Sequence, residues 1–252
     1  MTPEVKVNAL TTSNSFIRLP DLHAELLGFQ DLFNKGSLTD IEKTHVLSCL
    51  DQNFSEYKRA EPLMSLALYL YGRCIYGKDY ALSAVTLRLS LEWQIEESTR
   101  FTHYASFSDI KREPFNFEKI DDLLSKVKEP DMMLILTLKW YAFACMNSRE
   151  VGNASQLPRF ENLYSTIKSF CARLNTKDSN WEIGQIIYNS RPICGWKKPE
   201  DYEAQLAWIK AAEPYIELEG QTERARTFRA QLLSMESNLL SRLPQSEKLH
   251  DR

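Results

Sequence analysis

Turns are what this chain can least supply. Only 8 glycines and 10 prolines occur in 252 residues, too few for the many tight reversals that a sandwich or barrel of short strands demands. Apolar residues instead recur every three or four positions, the period of a helix buried along one side. With 43% hydrophobic and 26% charged residues the chain sits in the ordinary globular range and is long enough to bury a substantial core.

The helical pattern can be followed from end to end. Leu22, Leu26, Phe29 and Phe33 come after Pro20 at helical spacing, with Gly36 as a stop. Thr39-Asp-Ile-Glu42 is a capping box, in which hydroxyl and carboxylate each satisfy an orphan amide, and it predicts a helix through Val46, Cys49 and Leu50. Pro62 suits the first turn of a helix over residues 61–76. Asp79 opens the next one, running to about Arg100 with Ala84, Leu87, Leu91 and Ile95 on one side. After a connector at 101–114, Phe117, Ile120, Leu124 and Val127 predict another helix. Pro130 then leads into an apolar run from Met132 to Met146 that contains Lys139. As a helix that run spans only about 22 Å, too short for a bilayer, so it reads as a central buried element.

Further on, Phe160 to Cys171 predicts one helix, and a second capping box, Ser179-Asn-Trp-Glu182, predicts another reaching Asn189. Residues 190–199, SRPICGWKKP, form a definite irregular loop. Pro199 starts a helix that Pro214 kinks or ends. In the last one, Ala225, Phe228, Leu232, Met235 and Leu239 alternate spacings of three and four as a docking stripe. The expected fold is all-α, about nine or ten helices, arranged as consecutive antiparallel hairpins in an irregular superhelix or a globular helical bundle. Residues 1–19 are expected to form a flexible arm, 20–243 a single all-α domain with a sub-boundary near 101–114, and 244–252 a flexible tail.

Helices that cross closely need a small residue at the crossing, because a Cβ branch holds the backbones apart. Gly72 and Ala84 flank a Gly-Lys-Asp-Tyr turn with that character. Over residues 62–96 this segment resembles one tetratricopeptide-type hairpin, whose pattern places a glycine in the first helix and an alanine in the second. One unit of about 34 residues advanced from Gly72 and Ala84 reaches Ser106 and Glu118, so no regular array follows. The resemblance implies a helix-lined concave face that holds an extended peptide.

On the first of those helices Ser65, Tyr69, Arg73 and Tyr76 share a narrow stripe opposite Leu63, Leu66, Leu70 and Cys74. Tyrosine and arginine dominate binding energies at interfaces, so Tyr69, Arg73 and Tyr76 are candidates to grip a partner's carboxylate; the alternative is a solvated edge. Arg88 lies one turn from Ala84 on the inward side and needs an anionic or carbonyl partner; it is a further partner-binding candidate, the alternative being an internal ion pair with a carboxylate such as Glu61 or Asp79. Lys139 raises the same question, and its stem is long enough to snorkel outward. Trp196 in the irregular loop is a further candidate anchor for a partner.

Chemistry finds less support. Walker, dinucleotide-binding and zinc-protease motifs are missing from the sequence. His45 and Cys49 share a helix face, but two ligands do not make a metal site. Cys194 has no histidine in a recognisable thiol-enzyme motif. A net charge of −3 and a pI near 5.9 argue against a binder of nucleic-acid backbones. Five dispersed cysteines suit reduced thiols in the cytoplasm, and export without a cleaved signal remains open. The expected function is therefore a non-enzymatic adaptor, scaffold or chaperone-like subunit that binds a protein or peptide without a cofactor, through a helix-lined groove or its C-terminal helix. Two alternatives stand beside it: an enzyme of an unfamiliar helical family, including a secreted effector, and a peptide-sensing regulator.

Overall fold

A computed structural model describes residues 19–36, 38–59, 61–96, 103–115, 117–148, 157–189 and 199–242. Among the described residues the regular structure is entirely helical. In chain order the helices are α1 (Leu19–Lys35), α2 (Asp40–Gln52), α3 (Phe54–Tyr57), α4 (Glu61–Ile75), α5 (Tyr80–Glu96), α6 (Phe117–Ser125), α7 (Met132–Asn147), α8 (Leu157–Leu174), α9 (Lys177–Asn189), α10 (Pro199–Glu217) and α11 (Glu223–Arg242). A short 3-10 turn, Phe107–Asp109, lies in the connector before α6.

Local signals account for most of the boundaries. Glu42 N–H donates to the Thr39 hydroxyl at 3.3 Å, and Thr39 N–H donates to the Glu42 carboxylate at 2.7 Å, closing the capping box of α2. The Asp79 carboxylate accepts from Leu82 N–H at 3.0 Å, and that of Asp131 from Leu134 N–H at 2.7 Å, starting α5 and α7. The predicted second box forms one turn earlier. Thr176 and Ser179 exchange backbone-to-side-chain hydrogen bonds at 2.7 and 3.0 Å, which starts α9 at Lys177 and leaves the Glu182 carboxylate free for another partner. Pro214 does not end α10, which continues through it to Glu217.

Packing follows chain order. Helices α4 and α5 share the most extensive contact, α7 lies against α5, and α7 to α11 each pack on the next. Helices α1 and α2 cover α4. The α4–α5 pair is antiparallel: Ser83 Oγ donates to the Gly72 carbonyl at 2.8 Å, and two turns further along α5 Ser90 Oγ donates to the Ser65 carbonyl, two turns back along α4, at 2.7 Å. Gly72 makes this approach possible, although its close neighbours are Leu87 and Ser83 and not Ala84.

One large buried cluster joins α1 to α9, and includes Phe107 and Ile110 of the connector. The Phe107 ring stacks on Tyr71 with centroids 4.7 Å apart and meets Phe54 edge-on at 4.8 Å. A smaller cluster of Trp181, Ile216, Ala225, Phe228 and Leu232 seats α11 on α9 and α10. The predicted docking stripe of α11 is thus used inside the molecule over Ala225, Phe228 and Leu232. The expected N-terminal arm through Ile17 and Arg18, the C-terminal tail and the loop holding Cys194 and Trp196 lie outside the described residues, as does the stretch expected to extend α5 to Arg100.

Candidate functional site

Helix α4 is covered along most of its length, so its polar stripe is not a surface throughout. Ser65 and Tyr69 are 4% and 1% exposed, and only the last turn, with Arg73 and Tyr76, reaches partial exposure. Tyr69 therefore serves as an internal support: its hydroxyl accepts from Arg73 Nη1 at 2.6 Å.

Residues from distant helices complete the surroundings of Arg73. The guanidinium carbon lies 3.6 Å from the centroid of the Trp140 ring on α7 and 4.7 Å from that of Phe33 on α1. The Tyr76 ring meets Trp140 edge-on at 5.0 Å and Tyr80 at 5.1 Å. Asn147 Nδ2 donates to the Tyr76 hydroxyl at 3.1 Å and to the Phe143 carbonyl at 2.8 Å. Burial pushes the Tyr76 hydroxyl up to about 12, with Tyr80 adding to the effect and the Arg73 charge opposing it, so at neutral pH the phenol keeps its hydrogen.

Several other cations are compensated. Arg224 and Lys119 face Glu219 and Glu92, and Lys58 and Arg229 donate to backbone carbonyls. Among the described residues Arg73 has no carboxylate partner. Its Nε is buried without an acceptor, and Tyr69 is its one hydrogen-bond partner.

Arg88 belongs to a separate constellation. It pairs with Glu92 one turn along α5 and, at 2.5 Å, with Glu113 from the connector, while Lys119 of α6 closes on Glu92. The expected partners were Glu61 or Asp79; Asp79 instead binds Arg112 at 2.7 Å. With Arg88 and Glu92 side chains 8% and 2% exposed, this network ties the connector to α5 and α6 and offers no free charge. Lys139 does not snorkel. Its ammonium is buried against Glu182 of α9 and donates to Gln185 at 3.3 Å, the service for which Glu182 was released from capping.

The remaining candidates are structural in character. His45 nitrogens lie 3.8 and 4.0 Å from Cys49 Sγ, and burial, with the Glu25 charge second, raises the Cys49 thiol. Cys74 and Cys171 are pushed up to about 12 by burial. Such thiols are protonated and unreactive at neutral pH. Among the described residues no group of three or more His, Cys, Asp and Glu is placed to hold a metal ion, and no helix is long and apolar enough to cross a membrane. A groove of about 600 Å³ at the α10–α11 turn is lined by Glu217, Gly220, Arg226, Arg229 and the 61%-exposed Leu233.

Sequence reasoning named Tyr69, Arg73 and Tyr76 together as partner contacts; the structure groups them but buries Tyr69. It placed Phe33 only in the apolar stripe of the first helix, and it did not single out Trp140 or Asn147 of α7. No protein-family model, curated protein or solved structure matches the chain.

Proposed function

We propose that this all-α chain is a non-enzymatic interaction module, an adaptor, scaffold or chaperone-like subunit, and that its partner engages the half-open face around Arg73, Tyr76 and Trp140. The observation that carries this reading is a partly buried guanidinium, stacked on tryptophan, with no counter-charge among the described residues. An uncompensated charge removed from water is costly, and a partner that supplies the missing acceptor recovers that cost. The tyrosines and Trp140 beside it are the side chains that most often anchor protein interfaces. Raised thiols weigh against the alternative of a thiol enzyme at Cys49, Cys74 or Cys171. Free thiols at Cys49, Cys74 and Cys171 suit a reducing compartment such as the cytoplasm.

Peptides selected from a random displayed library against the intact protein test the reading. Arg73→Ala or Tyr76→Ala should weaken the selected binders about tenfold or more, the scale of an interface anchor, and Leu233→Ala should leave them unchanged. Binders that ignore both α4 substitutions but lose affinity on Leu233→Ala would move the site to the α10–α11 groove. Insensitivity to all three would refute both locations.

A further inference from the structure

Stacking and hydrogen bonding use different parts of a guanidinium. Contact with the Trp140 ring engages its face, whereas all five N–H donors lie in its plane. One of the five is taken by the Tyr69 hydroxyl. Among the described residues Nη2 and Nε have no acceptor, and Nε is already out of water. Tyr76 adds a second donor nearby. Asn147 donates to its oxygen, so the phenolic hydrogen is left to point at an incoming acceptor.

Charge sets the size of the demand. Lys139 Nζ lies 5.5 Å from the centre of the same indole ring and is neutralised by Glu182. Among the described residues that leaves the Arg73 charge uncompensated against Trp140. Lys43 adds positive field from α2, since its charge and those of Arg73 and Lys78 all reach Cys74, while Lys78 is paired with Asp40 at 3.4 Å. Shape narrows the choice further. Phe33 and Trp140 hold rings against the guanidinium, so an acceptor enters along its plane, where the oxygens of a carboxylate match its donors.

We infer that the group taken at this face is a single peptide carboxylate, one oxygen on the open Arg73 nitrogen and the other on the Tyr76 hydroxyl. This rests on the reading of the face as the partner site and specifies what the partner must present. A chain end and an acidic side chain offer the same group, and the test separates them.

Titration followed by the ¹H–¹⁵N signal of Arg73 Nε–H, assigned by its loss in Arg73→Lys, uses four probes at constant ionic strength. These are N-acetyl-phenylalanine, N-acetyl-glutamate α-amide, N-acetyl-phenylalanine amide and phenyl phosphate. A saturable shift with either carboxylate and none with the neutral amide is expected, and the tighter of the two shows whether chain end or side chain is preferred. Tyr76→Phe, which keeps the ring and deletes the hydroxyl, should weaken that binding about three- to tenfold. Glu182→Gln raises the local charge by one and should shift preference toward the phosphate dianion. Equal response to the amide, tighter binding of phenyl phosphate to the unaltered protein, or no saturable shift with any probe would overturn the carboxylate assignment. If peptide selection still depends on Arg73 and Tyr76, the face itself survives that result.

Discussion

Replacing Gly72 by alanine weighs two opposed effects at the α4–α5 crossing. Alanine in place of a mid-helix glycine gains about 1 kcal/mol of helix propensity. Against this, the added Cβ would lie 2.8 Å from Leu87 Cγ, 3.0 Å from its Cδ2 and 3.4 Å from the Ser83 carbonyl oxygen. Carbon atoms prefer about 3.5–4.0 Å, so Leu87 or the helix must yield by roughly 0.7 Å. Leu87 is fully buried, and Cγ is its branch point, which a rotamer change in a filled core cannot move far. Overpacking of this kind costs about 1–3 kcal/mol, and parting the helices also strains the 2.8 Å bond from Ser83 to the Gly72 carbonyl, worth about 1 kcal/mol. The expected balance is a net loss of about 1–2 kcal/mol. Urea unfolding followed by circular dichroism at 222 nm measures it. Gly28→Ala serves as control, because nothing lies within 4 Å of its added Cβ on α1, and it should stabilise by up to about 1 kcal/mol. In a Leu87→Ala background the Gly72 penalty should vanish, a coupling of about 1–2 kcal/mol. Stabilisation by Gly72→Ala, or strict additivity with Leu87→Ala, would refute the close-crossing argument.

Three other outcomes follow from the buried charges and thiols. Arg88→Met should destabilise by about 3 kcal/mol in the same urea assay by leaving Glu92 underpaired, and adding Glu92→Gln should recover much of the loss. Lys139→Met should cost about 3–5 kcal/mol, with Lys139→Met combined with Glu182→Leu near the parent value; a Glu182→Leu single variant that behaves as a mild cap loss would contradict the ion-pair role. Cys74 and Cys171 fold with thiols raised from 9.0 to about 12. Raised values mean that the folded state holds its protons longer than the unfolded one, so their contribution is complete below pH 9 and lost as pH climbs toward 12. Melting temperature measured across that range should fall, less steeply in a Cys74→Ala, Cys171→Ala double variant; an equal slope would exclude these thiols as the cause.

Most of the helical stretches, and the inward faces of several, were legible in the residues themselves, although the α4 stripe at Ser65 and Tyr69 turned out buried. Leu22, Leu26, Phe29 and Phe33 point to the core, as do Ile120, Leu124, Phe228 and Leu232, each at the spacing read from the chain. Capping at Thr39 was equally legible, since a cap is made within one turn. Even locally there was competition: Ser179 caps with Thr176 because Glu182 is claimed by Lys139 from a different helix.

The candidate site was only half visible. Arg73 and Tyr76 lie on one helix, and their shared stripe follows from its period; Phe33 and Trp140 come to them from helices far along the chain. Whether a charge is paired was likewise beyond the sequence: Arg88 finds Glu113 25 residues away, and Lys139 finds Glu182. Helical period and capping arise among near neighbours, so the order of residues determines them. Pairing of charges and rings depends on how separate helices dock, a choice made by packing the whole core at once, and only the tertiary structure decided that Arg73 would face tryptophan with no carboxylate beside it among the described residues.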